Sequence, residues 1–457
     1  MSSEPLAVSS QSRLRRIRHS LGEGGPPGKS STSCGRVDNR LIGDKRRNQT
    51  DCYSKYDIII NIVNTSGRIG LAADTIVIGF TGSFGSGCTE FADRIAETYG
   101  FGKIKLSQRL WDEAGKKASR EQLQAAGDKI RENEGNDALA KWAVKKWRES
   151  GKPKRFIFDS IKNLGEVAFL RGQFPNFYLV AVGAPTKERW NRVKETYKKW
   201  GLDRQDFDVD DERDREETDL PYGQNVRGCT EVSDIILDNS DADSLDHNID
   251  RLADYMKIIL DPARFKTPTW SELHMNHAFL VARMSHCLQR QVGAVITDEN
   301  NFLVACGFND VPMNIRPCRE YPESGRKCYR HHIMTCPECN TVTKPLKNCP
   351  KCGTNLEEKA KSRKDLDLCR AAHAEENAII QTAARGGVSL SDCILYTTTF
   401  PCLLCAKKII NVGISKIVYV DPYPVRESWN MLRDADIKLV RYSGTTPRGY
   451  VRMYVEA

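Results

Sequence analysis

An apolar run at residues 74–80 (DTIVIGF) predicts a buried strand. A glycine-rich turn follows, and the segment EFADRIAETYG then repeats its apolar positions with the period of a helix. Two later apolar runs, RFIFDSIKN and FYLVAVGAP, predict further strands. This part of the chain is therefore predicted to be an α/β domain.

A second α/β pattern occupies the C-terminal part of the chain. Residues 371–384 (AAHAEENAIIQTAA) predict a helix, and ILYTTTF, which leads into Pro401, predicts a strand. The next run, CLLCAKKII, is amphipathic and predicts another helix. Its two cysteines therefore lie at a helix N-terminus, where the helix dipole favours anions such as thiolates.

Four residues of these C-terminal elements indicate a zinc enzyme. One imidazole, from His373, and two thiolates, from Cys402 and Cys405, form a three-ligand zinc site that leaves the fourth position to water. Glu375 lies two positions after the histidine and is free to carry protons. The H-x-E and P-C-x-x-C pattern is typical of zinc nucleobase deaminases, in which activated water attacks C4 of cytosine. The alternative is a buried histidine with two unrelated core cysteines.

A second metal pattern lies between these elements, in a polar segment with almost no apolar core of its own. Two C-x-x-C pairs stand nine residues apart there, and four thiolates this close can surround one zinc ion. Such a site is closed to water, so its predicted role is structural and its folding energy comes from the metal. The alternative is a pair of disulfides or a redox pair. The predicted ligands are Cys336, Cys339, Cys349 and Cys352, and the flanking Cys318, Cys328, His331, His332 and Cys369 are too irregularly spaced to assign.

The glycine-rich turn of the first region follows a strand and precedes a helix, as in a phosphate-binding P-loop. Cys88 stands where that motif requires lysine, so the cation that reaches the β- and γ-phosphates is missing. Backbone N–H groups can still bind phosphate and Thr89 can still bind magnesium, but rapid phosphoryl transfer is not expected. Asp159 ends a later apolar run, as a Walker B carboxylate does. The predicted nucleotide-binding residues are Gly82, Gly85, Gly87, Cys88, Thr89 and Asp159.

Charge is concentrated at the start of the chain. The net charge is +9 over 457 residues, and residues 1–50 alone carry ten Lys or Arg against four Asp or Glu. This segment is rich in Ser, Gly, Pro and Arg, so we expect a disordered basic tail that makes weak RNA contacts or is simply solvated. An organelle transit peptide is the alternative. We find neither a signal-peptide core nor a membrane span, and we expect a soluble cytoplasmic protein.

From about residue 274 onward the chain resembles the deoxycytidylate deaminases of the cytidine deaminase superfamily. The resemblance includes the zinc motif, MSHCLQRQVGAVITDENNFLVACGFNDVP and CRAAHAEENAII. It implies that Asn309, in the GFN turn, hydrogen-bonds the substrate sugar; the alternative is an ordinary turn residue. It also implies a homo-oligomer, since related deaminases assemble into hexamers.

The first region is similar in the kind and order of its segments to nucleoside monophosphate kinases and dephospho-coenzyme A kinase. A kinase-like domain before a deaminase with a zinc insertion resembles the bacterial anti-phage cytidine deaminases. That resemblance implies deamination of dCTP and dCMP to deplete the pool, with regulation by a small RNA. We therefore predict a basic tail (1–55), a three-layer P-loop kinase-like domain (56–262) and a cytidine-deaminase-like α/β/α domain (263–457) with an inserted zinc ribbon (336–352). The P-loop would hold a regulatory nucleotide.

Two other functions compete with a deoxycytidine nucleotide deaminase, a hydrolase acting on a cyclic amidine. A nucleic-acid cytidine deaminase could use the basic tail as a docking arm. Against it, the rest of the chain is nearly neutral and has no basic stripe interleaved with aromatic residues. A nucleotide sensor with a vestigial zinc site is the third hypothesis, and the intact set of ligands and glutamate argues against it.

Overall fold

The computed structural model describes residues 75–455, except for gaps at 116, 216–221, 241, 262–263, 265, 321–327, 330–333, 337, 344–345, 357–368, 385 and 422–425. The predicted tail, residues 1–55, lies outside the described residues, as do His331 and His332. The described helices include none with the length and apolarity needed to cross a bilayer.

The first sheet has six strands in the order β13-β5-β4-β1-β3-β2, where β13 is Gly444–Thr445. Strands β1 to β5 all run parallel to one another. The glycine-rich turn follows the end of β1, which lies in the middle of the sheet. This arrangement confirms the predicted kinase-like α/β fold. The strands are β1 (Ile76–Thr81), β2 (Gly102–Lys105), β3 (Arg155–Ile161), β4 (Asn176–Gly183) and β5 (Ile235–Asp238).

Helices cover both faces of this sheet because successive strand residues point to opposite sides. Val77 packs with helices α2 to α5, whereas its neighbour Ile78 packs with α1 and α9. The helices are α1 (Cys88–Tyr99), α2 (Gln108–Ala114), α3 (Arg120–Glu134), α4 (Ala138–Glu149), α5 (Leu164–Gln173), α6 (Thr186–Lys199), α7 (Arg204–Arg215), α8 (Val226–Glu231) and α9 (Ala242–Leu260).

The second sheet has five strands in the order β12-β11-β10-β6-β7. Strands β6 and β7 form an antiparallel hairpin, whereas β10, β11 and β12 are parallel. One face packs against α10 and the other against α11, α12 and α13, which confirms the predicted α/β/α layers. The elements are α10 (Trp270–Ala282), β6 (Gly293–Thr297), β7 (Leu303–Phe308), α11 (Ala374–Ala384), β10 (Ile394–Thr399), α12 (Leu403–Asn411), β11 (Lys416–Asp421), α13 (Arg426–Asp434) and β12 (Lys438–Arg441).

The four-cysteine segment contributes a small hairpin between β7 and α11. Strands β8 (Met334–Thr335) and β9 (Val342–Thr343) pair antiparallel and have two residues each. Its buried core consists of Cys336, Cys349 and Leu356. A core this small supports the predicted dependence of the segment on metal.

The end of the chain returns to the first sheet. Strand β13 (Gly444–Thr445) pairs antiparallel with β5, and α14 (Pro447–Tyr454) packs against α9 and α10. Gly449 fits there only because it lacks a side chain, since a Cβ would lie 1.9 Å from the carbonyl oxygen of Asp234. The two sheets are therefore joined by backbone pairing as well as by packing.

A buried carboxylate, Glu272, connects the elements at this junction. It is 3% exposed, and its Oε1 accepts hydrogen bonds from the hydroxyls of Tyr255 (2.7 Å) and Tyr454 (3.0 Å) and from the backbone N–H of Thr445 (3.2 Å). Its Oε2 caps α10 by accepting from the N–H of Thr269. Burial alone would raise the pKa of Glu272, but these hydrogen bonds outweigh it and lower the pKa.

Replacing Glu272 with alanine should destabilise the whole described fold. The change leaves several buried donors without an acceptor, so we expect the free energy of unfolding to fall by about 3 kcal/mol. Urea denaturation of the variant, compared with wild type and with Glu299→Ala at an exposed position, measures this loss. Because the folded pKa is depressed, the advantage of wild type should shrink as the pH falls through it. Equal stability at neutral pH would contradict this role.

Candidate metal and active site

The predicted imidazole ligand lies directly before a helix. His373 precedes α11, and its carbonyl accepts the hydrogen bond from the N–H of Asn377 (2.9 Å) that begins the helix. Ala372 forms an isolated bridge with Asp310, which fixes the chain on the other side of the histidine. Glu375, in the first turn of α11, is consequently turned inward and is 4% exposed.

The two predicted thiolates lie at the start of α12. Cys402 is the N-cap residue, its side chain caps no backbone N–H, and Cys405 lies in the first turn. The carbonyl of Pro401 accepts a hydrogen bond from the hydroxyl of Ser428 (2.6 Å), which holds the turn before the helix. Both sulfur atoms therefore occupy the positive end of the helix dipole, as predicted.

These three side chains converge with the spacing of a zinc site. The Nδ1 atom of His373 lies 3.3 Å from the Sγ of Cys402 and 3.4 Å from the Sγ of Cys405. Zinc bonded tetrahedrally to sulfur and nitrogen would separate them by about 3.6 Å. One nitrogen and two sulfur atoms with this geometry fit zinc and leave a fourth ligand position to a small molecule.

The surroundings of Cys402 favour its thiolate form. Hydrogen bonds from Cys405 and His373 lower the pKa of Cys402 to about 4, although burial opposes them. The thiolate is the form that binds metal.

The carboxyl group of Glu375 lies next to His373, Cys402 and Cys405 but is not one of the predicted zinc ligands. Its Oε2 accepts a long hydrogen bond from the Sγ of Cys405 (3.7 Å). Burial raises the pKa of Glu375 above its ordinary value. A buried carboxyl group beside a metal site is suited to gain and lose a proton during a reaction.

Asn309 follows β7, and its side chain forms hydrogen bonds within the protein. Its Oδ1 accepts from the backbone N–H of Val292 (2.7 Å), and its Nδ2 donates to the carbonyl of Arg290 (2.8 Å). The side chain therefore holds the turn before β6 next to the site. The predicted contact with a substrate sugar stays a prediction, to which the second proton of the amide nitrogen remains available.

Several charged residues near the site were not identified from the sequence. Arg290 donates to Asp421 at the end of β11, whose carbonyl accepts from the N–H of Phe400 (2.8 Å) just before the cysteines. His286 and Asp310 form a second pair, with Nδ1 and Oδ2 separated by 2.6 Å. His286, Arg290 and Asp310 lie within the segment that carries the resemblance, but one sequence does not show which charged residues pair with each other.

The four-cysteine segment brings its sulfur atoms together. Cys336 and Cys352 are 3.5 Å apart, Cys339 and Cys349 are 3.6 Å apart, and all four are free thiols. Zinc bound by four thiolates would separate them by about 3.8 Å. The two C-x-x-C turns have the same backbone hydrogen bond. The N–H of Asn340 donates to the carbonyl of Cys336, and the N–H of Gly353 donates to the carbonyl of Cys349. This geometry fits a closed zinc site. No other group of donors among the described residues is as close, including Cys318, Cys328 and Cys369.

The predicted phosphate loop brings two of its residues into contact across the first sheet. The hydroxyl of Thr89 donates to Oδ2 of Asp159 (2.9 Å), at the end of β3. Gly85 and Gly87 have positive φ angles of 82° and 99°, which glycine adopts without strain. Cys88 is half-buried, and its sulfur lies 3.3 Å from the hydroxyl of Ser86.

Comparisons with known proteins agree with the geometry of the second sheet. A family model, the cytidine and deoxycytidylate deaminase zinc-binding region, matches residues 268–421. This span contains both groups of predicted metal ligands and Glu375.

Relatives extend the match to the front of the chain. The deoxycytidylate deaminase of Schizosaccharomyces pombe is 28% identical over 368 residues, which cover 80% of this chain and 97% of that relative. The deoxycytidylate deaminase of Enterobacteria phage T2 is 30% identical over 169 residues, 35% of this chain and 86% of the relative. Shikimate kinase from Acinetobacter baumannii, solved in complex with shikimate, covers 42% of this chain and 97% of its own, with 15% identity and a TM-score of 0.28. The first alignment is longer than the deaminase half and therefore includes part of the kinase-like half.

Metal analysis tests both cysteine sites. We expect two zinc ions per chain, and Cys339→Ser should lose one of them and loosen the hairpin of β8 and β9, because that hairpin has almost no core without metal. Cys306→Ser, which changes a half-buried thiol of β7 outside both sites, should keep both ions. Elemental analysis of the purified variants measures this. A single zinc that Cys339→Ser does not remove would rule out the four-cysteine site.

Proposed function

The chain belongs to the deoxycytidylate deaminase family, and we propose that it deaminates the deoxycytidine nucleotides dCMP and dCTP. Water replaces the 4-amino group of cytosine, and the products are the deoxyuridine nucleotide and ammonia. The observation that supports this most directly is the convergence of His373, Cys402 and Cys405 on one small volume beside a buried Glu375. Family membership supports dCMP as a substrate, and dCTP is the extension that the kinase-like half suggests.

The chain's own residues account for the proton transfers. Bound zinc would supply activation of the water that attacks C4. Glu375 takes the proton that this water loses, delivers it to N3 of the ring and then assists departure of ammonia. Its burial keeps the carboxyl group away from bulk water, so the proton stays in the site.

The helix start around Glu375 gives two adjacent carboxylates different roles. Glu376, the next residue, turns the other way and pairs with Lys408 on α12. Burial would raise the pKa of Glu376, but its hydrogen bond with Lys408 outweighs this and lowers the pKa. It is therefore committed to the ion pair and is a poor proton carrier. Of the two, Glu375 is the one suited to catalysis.

An exposed apolar stripe on α10 supports the expected homo-oligomer. Trp270, Leu273 and Leu280 on α10 and Met284 just beyond its end are all exposed, at intervals of three, seven and four residues that place them on one side of the helix. The opposite face of the helix, with Met275 and Ala278, is buried in the junction between the sheets. Large apolar side chains exposed together on one side of a helix indicate an interaction site.

The anti-phage role, with depletion of the nucleotide pool and control by a small RNA, stays a prediction of the resemblance. No contact among the described residues bears on it. The S. pombe alignment covers 97% of a relative named for deoxycytidylate deamination, and it includes part of the kinase-like half. This supports the simpler proposal that the domain arrangement serves nucleotide metabolism.

Substitution of Glu375 tests the assignment of the proton carrier. We expect Glu375→Ala to keep its zinc and to lose about two to four orders of magnitude in kcat for dCMP, because no other described carboxylate is placed to replace it. The matched control is Glu376→Gln, one position along the same helix, for which we expect less than a tenfold loss. Steady-state rates with zinc content measured in parallel distinguish loss of catalysis from loss of metal. Near wild-type turnover in Glu375→Ala would remove it from the mechanism.

Product analysis distinguishes nucleotide from nucleic-acid deamination. Purified protein should convert dCMP, and we also expect conversion of dCTP, with little effect of moderate salt. A nucleic-acid deaminase would prefer a single-stranded oligonucleotide and would lose affinity steeply between low and moderate salt. Chromatography of products from dCMP, dCTP, CMP and oligonucleotides at two salt concentrations gives the answer. Deamination of the oligonucleotide alone would refute the proposal.

A further inference from the structure

The loop between β1 and α1 is built to receive an anion. Gly87 is the N-cap residue of α1, and no side chain caps the helix. The carbonyl of Gly87 accepts the first hydrogen bond of the helix, from the N–H of Phe91 (3.2 Å). The N–H groups of the first turn are therefore open to a ligand, at the positive end of the helix. Gly82 must lack a side chain, since a Cβ would lie 2.3 Å from the carbonyl oxygen of Val182.

Cys88 supplies no positive charge to this loop. Burial and the nearby carboxylate of Asp159 raise the pKa of Cys88 to about 11, so the thiol is neutral at physiological pH. Two lysines lie at the same edge of the sheet as this loop: Lys105 ends β2, and Lys162 follows Ile161 of β3, which pairs with Thr81 at the end of β1.

Lys105 reaches the loop from the end of β2. Its Nζ donates to the hydroxyl of Thr89 (3.0 Å) and lies 3.9 Å from Oδ2 of Asp159. Its side chain is 44% exposed, so the ammonium group is accessible to a ligand from solvent. Thr89 and Asp159 are the hydroxyl and carboxylate that hold magnesium in P-loop proteins.

Lys162 directly follows β3, and a carboxylate of α7 holds its ammonium group. Its Nζ donates to Oδ2 of Asp214 (2.6 Å), which also pairs with Arg120 at the start of α3. Burial alone would raise the pKa of Asp214, yet these two cations hold it well below its ordinary value. The charged segment that contains Asp214 is thus a helix with buried acids in its described part, residues 204–215.

Arg120 provides an independent sign of a missing partner. Its guanidinium carbon lies 5.1 Å from the ring centre of Phe84 in the loop, and the residue is 7% exposed. Its Nε has no hydrogen-bond partner within the described part of the chain. A buried, incompletely bonded guanidinium over the loop is what an oxygen-rich anion would satisfy.

We propose that the kinase-like half binds the magnesium-bound polyphosphate of a nucleoside di- or triphosphate at the loop of residues 82–89, with Lys105 and Lys162 in place of the missing P-loop lysine. Phosphate oxygens accept from the open N–H groups of α1 and from both ammonium groups. Magnesium lies between them and the pair of Thr89 and Asp159. Asp214 holds Lys162 and Arg120 in place until the ligand competes for them. This site goes beyond deamination and is separate from the zinc site.

Binding to the full-length protein tests the site. Calorimetric titration with ATP and magnesium should show one site per chain, and adenosine triphosphate serves as the probe because it has no cytosine for the deaminase site. Lys105→Met and Lys162→Met should each weaken binding by about tenfold or more, since each removes a charge-assisted bond to phosphate. Lys145→Met, at an exposed position of α4, should bind as wild type does.

Competition identifies the part of the nucleotide that is recognised. Inorganic triphosphate with magnesium should displace ATP, and adenosine should not. Displacement by adenosine alone, no binding of ATP to wild type, or unchanged binding in both lysine variants would overturn the proposal. Circular dichroism and zinc content report whether each variant is folded. If Lys162→Met does not fold because Asp214 has lost its partner, the more exposed Lys105→Met still tests the proposal. Because the readout is binding, a failure here leaves the deaminase proposal unaffected, and the reverse also holds.

Discussion

The buried carboxylate of Glu272 is the interaction on which the arrangement of this chain depends. A charged group that is 3% exposed is tolerated only when nearly every lone pair has a donor, and here the donors come from α9, from α14, from the loop before α10 and from β13. These elements belong to different parts of the sequence. The carboxylate therefore ties α9 and the end of the chain to α10, the helix that packs against the second sheet.

The zinc site depends on a simpler constraint, the start of two helices above adjacent strands. His373 immediately precedes α11 and Cys402 precedes α12, so backbone geometry sets the direction of all three ligands before any metal binds. α11 packs on β7 and β6, and β6 pairs directly with β10, the strand that leads into Cys402. Residues further away hold this frame: Ser428 anchors the turn before Cys402, and Asp421 connects it to Arg290.

The metal sites were largely predictable because their chemistry is local in sequence or has a fixed pattern. An i, i+3 pair of cysteines at a helix start or in a knuckle can be identified without knowing the fold. The strands β1, β3 and β4 were predictable for a similar reason, since long apolar runs have few alternatives. The role of Lys162 was not predictable, because this residue comes close to the loop only through the parallel pairing of β3 with β1. Strand β13 was not either, since two residues have no periodicity. The dense charge of residues 204–215 is typical of a solvated segment, whereas these residues form a helix that buries Asp210, Asp211 and Asp214.

The return of the chain end to the first sheet also has a consequence for biosynthesis. Strand β5 has its outer neighbour only when Gly444 and Thr445 have been made, long after the rest of the kinase-like half has left the ribosome. Until then its edge presents unpaired backbone groups, which are prone to pair with other chains. Folding of the front half is therefore completed only after the second half has been synthesised, although domains usually fold in order as they emerge. A ribosome that stops early on this message releases a protein with an open sheet edge in its first half, not merely one without a complete deaminase.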